Sequence, residues 1–407
     1  MSEHVVIVGA GHAGGSVAAF LRQFGFAGPI TLVGEEPLPP YQRPPLSKGW
    51  LKGEVGADEL LLKPQSWYAE AGVDLRLSSP VAALDLDARE VRLADGHAIG
   101  WDRLVIATGA RARPLPVPGA DLYGVLALRD AADAEALKTT LGPGRRLAVI
   151  GGGYVGLEAA ASARALGADA VVIEREARVL ARVACPELSD FFTGHHRAHG
   201  VGFELSADIT ALEEEDGRVS GVRLADGRVL PCDAALVGVG AIPNDEMARA
   251  AGLPCDGGIV VDAFARTERP DVWAAGDVTR RPLPHYEDRA WRLESVPNAL
   301  EQARLAACAI VGRPYPAPET PWFWSDQYAL KLQIAGLPLE ADRRVVRGDP
   351  ADARFAVFHL REGRVRAVEA VNDAPAFMTG RQLIARRAEV DAERLADPAT
   401  PLKSLLQ

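Results

Sequence analysis

Cysteine is scarce in this chain: Cys185, Cys232, Cys255 and Cys308 are four among 407 residues, with no CxxC pair and no metal-ligand spacing. That argues against a disulfide scaffold or a zinc ribbon and leaves reduced, mostly buried thiols as the expectation. Positive charge is also in deficit, 45 Lys and Arg against 55 Asp and Glu, for a net charge of −10 at pH 7. Bulk binding to nucleic acid is disfavoured on that balance, although a local basic patch remains compatible with it. No unbroken apolar run approaches the roughly 18 residues that a membrane span requires. The opening MSEHVVIVGAG carries Glu3 and runs directly into a strand, without the basic start and apolar core of a signal peptide, so cytosol is the expected location. Apolar content of 48% and charged content of 25% are those of a globular protein, and the length asks for two or three domains.

The chain repeats itself. HVVIVGAGHAGGSVAAFL begins at His4 and LAVIGGGYVGLEAAASARAL at Leu147. Each is a β-branched run, then G-x-G-x-x-G, then an alanine-rich helix, with Gly9, Gly11 and Gly14 in the first copy and Gly151, Gly153 and Gly156 in the second. A second matched pair lies downstream, VRLADGHAIGWDRLVIATGA ending at Ala110 and VRLADGRVLPCDAALVGVGA ending at Ala241. In both, alternating apolar residues around Asp-Gly indicate a hairpin feeding a buried strand that ends in glycine. One glycine motif is weak evidence; two in the same strand–helix context, with the same hairpin after them, predict two Rossmann-like dinucleotide-binding domains.

The chemistry is common to both copies. The first glycine permits a tight turn, the second lets the backbone approach a pyrophosphate, and the third packs helix against strand, while the helix N-terminus offers unpaired N–H groups to the phosphates. An acid at the end of the next strand should take ribose hydroxyls: Glu35 in ITLVGEE and Glu174 in VVIERE. A carboxylate at Glu174 repels a 2′-phosphate and favours NADH over NADPH, with Arg175 next to it as a counterweight. Further on, PDVWAAGDVTR reads as a buried strand ending in Gly-Asp, which sets Asp277 at a strand end where it can grip hydroxyls or simply cap a turn. PPYQRPPLSKGWL at 39–51 holds four prolines, Arg43 and Lys48; it is expected to be a stiffened loop rather than an element of regular structure.

The motifs GAGHAG, ATGA at 107–110, GGGYVG and AAGD at 274–277 resemble those of FAD-dependent pyridine nucleotide–disulfide oxidoreductases over nearly the whole chain. RPPLSK at 43–48, RLESVPNALEQA at 292–303 and PWFWSDQY at 321–328 are more specific. They resemble the NADH-dependent ferredoxin reductases that serve bacterial cytochromes P450 and ring-hydroxylating dioxygenases. The resemblance implies FAD on the first copy and NADH on the second. FAD contacts are then implied for Gly9, Gly11, Ala13, Gly14, Glu35, Arg43, Lys48, Val81, Thr108, Gly109, Arg129, Asp277 and Val296. NADH contacts are implied for Gly151, Gly153, Tyr154, Val155, Gly156, Glu174 and Gly240. Lys48, Glu158 and Trp324 carry the implied catalytic roles: an ammonium near flavin N5, a glutamate able to pair with it, and an indole beside the isoalloxazine. Trp322 and Phe323 are assigned to the core, and a helix starting near Ser295 or Val296 is expected to direct its positive end at the flavin.

The implied architecture is α/β, with an FAD domain formed by 1–111 and 243–315, an NADH domain at 112–242 and a small α+β domain at 316–407. Disulfide reductases of this superfamily place a cysteine pair in or just after the region that here reads RPPLSKGWL. With no cysteine there, electrons arriving as a hydride are expected to leave singly to an external acceptor. The implied partner is an acidic [2Fe–2S] ferredoxin, for which Lys63, Arg304, Lys331 and Lys403 are candidate docking cations. A small acceptor such as a quinone, monodehydroascorbate or dioxygen is the competing reading. A flavin-bearing signalling protein would call for long extra segments or a basic surface that the sequence does not display.

Overall fold

The computed structural model describes residues 3–406. They form two compact units. The first takes the chain up to Gln42, then Ala57–Arg111 and Ile242–Phe323; the second takes Arg43–Gly56, Ala112–Ala241 and the chain from Trp324 onward.

The first unit is built on a parallel sheet in the order Val272–Ala274, Arg103–Ile106, Val5–Val8, Ile30–Val33, Val73–Arg76. The central runs VVIV and ITLV are buried throughout, as a sheet covered on both faces requires. Side chains alternate across it. Val5, Ile7, Leu32 and Val105 pack with Val17 and Leu21 of helix His12–Gln23 and with Ala303 and Ala306 of helix Val296–Val311. Val6, Val8, Leu104 and Ile106 pack on the opposite side with Val91, Leu93 and Ile99, which belong to a three-stranded antiparallel sheet.

The second unit repeats this plan. Its parallel sheet runs Val201–Leu205, Asp169–Glu174, Arg146–Ile150, Ala234–Val237, Val125–Leu126, again beside a three-stranded antiparallel sheet that includes Arg218–Leu224. The two Asp-Gly turns close their hairpins with the glycine at positive φ, Gly96 at 91° and Gly227 at 89°. A five-stranded sheet, which belongs to the same unit from Trp324 onward, runs in the order Trp322–Gln327, Leu330–Gly336, Arg364–Val371, Arg354–Arg361, Arg343–Asp349. Its Glu-Gly hairpin has both central residues at positive φ, 50° at Glu362 and 74° at Gly363, the geometry that suits the twist of the flanking strands. Helix Ala374–Arg386, capped by the Asp373 carboxylate, lies on this sheet so closely that a Cβ at Gly380 would fall 2.3 Å from a Val368 methyl.

Two sequence expectations change. The stretch at 39–51 is not a bare loop: Pro44–Ser47 is a 3-10 helix and Gly49–Lys52 a helical turn. Pro44 and Pro45 occupy the first helical positions, where the missing N–H costs nothing and the fixed φ already suits the helix. Trp322 and Phe323, expected in the core, are half-buried, as is Trp324.

The C-terminal segment is fastened by one buried cation. Arg347, 7% exposed, donates to the carbonyls of Leu395 at 3.1 Å, Asp397 at 2.6 Å, Pro398 at 3.1 Å and Thr400 at 2.8 Å. Arg347→Met should therefore lower stability by about 2–4 kcal/mol, since several acceptors lose a charged donor at once. A denaturant melt that moves by less than the equivalent of about 0.5 kcal/mol would contradict the assignment.

Candidate functional site: two glycine cradles and a buried carboxylate

In each copy the strand ends in a glycine at positive φ, 110° at Gly9 and 108° at Gly151. A Cβ on Gly9 would meet the Ala107 carbonyl oxygen at 2.2 Å, and one on Gly151 the Gly238 oxygen at 2.4 Å. The third glycines are equally confined: a Cβ on Gly14 would lie 1.9 Å from the Gly9 oxygen, and one on Gly156 2.2 Å from the Gly151 oxygen. The middle glycines differ. Among the described residues, nothing lies within 4 Å of a Cβ built on Gly11 or Gly153. Both are N-cap residues, and neither helix, His12–Gln23 nor Tyr154–Ala165, has a side chain capping its first amides. Outer glycines satisfy packing, whereas the middle ones keep space open above helix N-termini that no N-cap side chain closes, which suits a pyrophosphate.

The acids lie where the strands end. Glu174 is the last residue of Asp169–Glu174, and its carboxylate accepts from Gly152 N at 2.7 Å and Glu176 N at 2.9 Å. It is thus tied to the glycine turn itself. Arg175 points outward at 78% exposure, 3.6 Å from Glu176. Glu35 is exposed two residues after Ile30–Val33, while its neighbour Glu36 accepts the Tyr41 hydroxyl at 2.5 Å. Ala13 is buried on the first helix. Val155 is 45% exposed, Tyr154 donates its hydroxyl to Val183 O at 3.1 Å, and Gly240 adopts φ 107°.

In the first unit, Thr108 and Gly109 are clamped to Asn244. The Thr108 hydroxyl donates to Asn244 O at 2.8 Å, Asn244 Nδ2 to Thr108 O at 2.9 Å, and Asn244 N to Gly109 O at 2.9 Å. Val81, half-buried, begins strand Val81–Asp85. Asp277 follows Gly276, whose N–H donates to Gln302 Oε1 at 2.9 Å; the Thr279 hydroxyl donates to the same oxygen at 2.8 Å. Helix Val296–Val311 is capped by the Ser295 hydroxyl, which accepts from Asn298 N. Gln302 Nε2 and Asn298 Oδ1 are buried with no hydrogen-bond partner among the described residues. Orphaned polar atoms of this kind, together with the open Gly11 cradle, fit a polar ligand as large as FAD.

The second unit holds Lys48, Glu158, Arg43, Arg129 and Trp324. Arg43 donates to Arg129 O at 2.6 Å. Lys48 Nζ lies 2.6 Å from Glu158 Oε2 and also donates to Pro44 O at 3.0 Å and Ser47 Oγ at 3.3 Å. Ser47 Oγ donates to Glu158 Oε2 at 2.5 Å, and the Ser47 carbonyl accepts from Ser162 Oγ at 2.7 Å. Glu158 and Ser162 stand four residues apart on one face of their helix, so they hold both ends of Ser47. The other carboxylate oxygen accepts from Ser325 Oγ at 2.6 Å. Ser47, Ser162 and Ser325 were not singled out by the sequence. Lone serines carry no spacing signal, and Ser325 sits inside an aromatic run.

Of the candidate docking cations, Arg304 is half-buried and paired with Glu319 at 2.5 Å, so its charge is already balanced. Lys63, Lys331 and Lys403 are exposed. All four cysteines are free: Cys185, Cys232 and Cys308 are buried and Cys255 is half-buried. Burial raises every thiol, Cys232 to about 11, and Cys185 is raised further by Glu369. Cys185, His359 and Glu369 form a buried cluster in which Glu369 accepts from Cys185 N at 3.0 Å and engages His359 Nε2 at 2.8 Å.

The family described as pyridine nucleotide-disulphide oxidoreductase matches residues 3–303, and a reductase C-terminal family matches 322–406. A protein named probable ferredoxin reductase CtmF from Castellaniella defragrans is 52% identical over 404 residues, 99% of each chain. The 5,5'-dehydrodivanillate O-demethylase ferredoxin reductase subunit of a Sphingobium species is 44% identical over 98% of this chain and 97% of its own. Among solved structures, the covalent putidaredoxin reductase–putidaredoxin complex superposes with a TM-score of 0.97 at 41% identity, covering 99% of this chain and 98% of that one.

The cradle geometry separates two kinds of glycine substitution. Gly11→Ala and Gly153→Ala should melt within about 2 °C of the parent yet bind dinucleotide at least ~10-fold more weakly, whereas Gly14→Ala and Gly156→Ala should lose stability outright. Calorimetry of the four variants, with and without ligand, checks this. A stability loss in the middle pair equal to that in the outer pair would refute it.

Proposed function

The chain belongs to the pyridine nucleotide-disulphide oxidoreductase family, and we propose that it is an FAD-dependent reductase that takes a hydride from NADH and passes single electrons to a [2Fe–2S] ferredoxin. That ferredoxin serves a cytochrome P450 or a ring-hydroxylating oxygenase. The observation that carries the reading is the pair of open glycine cradles together with four separate, protonated thiols. Two dinucleotides have places to sit, and no cysteine pair is there to take a hydride's electrons as a disulfide would. The relatives' names favour a ferredoxin as acceptor over a quinone or dioxygen.

On this reading the first cradle, with Ala13, Glu35, Val81, Thr108, Gly109, Asp277 and Val296, holds FAD, and residues 1–111 and 243–315 are the FAD domain. The second cradle, with Tyr154, Val155, Glu174 and Gly240, holds NADH within 112–242, and 316–407 is the C-terminal domain. FAD supplies the conversion from a two-electron donor to a one-electron acceptor. Glu174, locked onto the Gly152 and Glu176 amides, presents fixed negative charge to the adenosine ribose, accepting hydroxyls and repelling a 2′-phosphate. Lys48 is held by the Pro44 carbonyl and the Glu158 carboxylate, so its positive charge is oriented before any ligand arrives and needs no reorganisation. Arg43, Arg129 and Trp324 are assigned to the flavin on the same reading. Lys63, Lys331 and Lys403, with Arg304 beside its partner Glu319, are the docking cations on this reading.

Ferredoxin dependence tests the acceptor. NADH-driven cytochrome c reduction should rise at least ~10-fold when a [2Fe–2S] ferredoxin is added, and the gain should shrink as salt screens the docking charges. Equal rates with and without ferredoxin would transfer the assignment to a small acceptor. Glu174→Ala should narrow the NADH over NADPH preference in kcat/KM by about 10-fold, through lost hydroxyl bonds and relieved repulsion; an unchanged ratio would remove Glu174 from cofactor choice.

A further inference from the structure

We propose that Ser325, Gln327 and His196 are positioning residues for Glu158, forming a one-way hydrogen-bond relay that holds its carboxylate fixed against Lys48. Ser325 Oγ is 2.6 Å from Glu158 Oε1, Gln327 Nε2 is 3.1 Å from Ser325 Oγ, and His196 Nε2 is 2.7 Å from Gln327 Oε1. All four residues are buried, Glu158 at 5% exposure, Gln327 at 1%, and Ser325 and His196 at 0%. They come from three elements: helix Tyr154–Ala165, strand Trp322–Gln327 and helix Pro186–Ala198. Ser325 and Gln327 are two apart in the strand and therefore share its inward face.

The polarity of the relay is fixed at one end. An ionised carboxylate accepts only, so Ser325 must donate its single proton to Glu158. The Ser325 oxygen must then accept from the Gln327 amide nitrogen. That turns the amide oxygen towards His196, whose Nε2 must carry a proton. His196 is neutral, because burial pushes it down to about 4, with His195 and His199 adding to the effect. Its Nδ1 has no hydrogen-bond partner among the described residues, so a second proton would be left unanswered in the core. The ring, set edge-on to Phe203 at 6.2 Å and against Tyr328 at 5.0 Å, has little freedom to reverse. On the opposite side, Lys48 and, one turn earlier on the same helix, Tyr154 are the titratable groups facing Glu158. Ser47 and Lys48 serve one carboxylate oxygen and the relay serves the other.

This inference rests on the reading of Glu158 as the carboxylate beside Lys48 in the hydride-accepting site, but its test needs no turnover. In the purified holoprotein at neutral pH, the carboxylate stretch of Glu158 can be read by infrared difference spectroscopy, with Glu158→Gln identifying the band. A hydrogen bond donated to one carboxylate oxygen polarises the group and so sets the frequency of that stretch. Ser325→Ala should therefore shift the band, and Gln327→Leu, which does not touch Glu158, should shift it the same way by less. Ser325→Thr should restore the parent band. An unchanged band in Ser325→Ala or in Gln327→Leu overturns the relay, as does failure of the threonine to rescue. A variant-free check is the 15N spectrum of His196 in the parent protein: a proton on Nε2 is required, and one on Nδ1 overturns the relay.

The same burial gives the relay a stability signature. The unfolded chain protonates His196 near pH 6.5 and the folded chain near 4, so this stabilisation is intact above about pH 6.5 and is lost as the pH falls towards 4. Urea midpoints measured across that range should fall less steeply in His196→Asn than in the parent. An identical slope would mean that His196 is not held neutral.

Discussion

A carboxylate taken out of water must be met by donors, and Glu158 meets its requirement from pieces of chain far apart in sequence. Lys48 and Ser47 come from the proline-braced turn, Ser325 from the edge strand of the C-terminal sheet, and Ser162 from the next turn of its own helix to hold Ser47 in register. Breaking such a group apart costs more than forming it repays, because each partner left behind is a buried, unanswered polar atom. The second unit therefore has a reason to keep its C-terminal sheet with its nucleotide-binding sheet. The bonds of Cys185 N to Glu369 and of His196 to Gln327 reinforce the same junction. The lysine at the site is positioned by this shared polar core rather than by its own loop alone.

The two nucleotide-binding sheets show how a duplicated plan acquires separate tasks. Backbone requirements are preserved in both: a turn glycine that a Cβ would drive into a carbonyl, an open middle glycine, and a third glycine packed on the first. The acids diverge in their support. Glu174 is tied to two amides at the mouth of its cradle, while Glu35 is exposed beyond its strand and the adjacent Glu36 is taken by Tyr41. On the proposed reading, the braced carboxylate meets the ligand that comes and goes, and the exposed one joins a grip spread over many residues.

Much of the fold was legible in the amino-acid sequence for a physical reason: glycine at positive φ, proline at a helix start and Asp-Gly at a hairpin have few substitutes. The repeated strands and both acid positions follow from those signals. The 3-10 helix at Pro44–Ser47 was missed because the same prolines that stiffen a loop also begin a helix. The relay was invisible for a different reason. Ser325 and Gln327 alternate within WFWSDQ, where the aromatics dominate the pattern, yet the serine and glutamine face inward and the tryptophans are half-buried. His196 lies in GHHRAHG, a stretch not singled out by the sequence, and only the packing of helix Pro186–Ala198 places it beside Gln327. Arg304 was read as a lone cation because its partner Glu319 lies fifteen residues on, a spacing that carries no sequence signal.

The four thiols have a practical side. A thiol that is buried and reluctant to ionise reacts slowly with maleimides, iodoacetamide and peroxide, since the thiolate is the reactive species. Cys185, Cys232 and Cys308 meet both conditions, and half-buried Cys255 is also raised above its ordinary value. A single cysteine introduced on the surface would then be the fastest-reacting site in the molecule, and a spin label or fluorophore could be attached there without first stripping out the native sulfur.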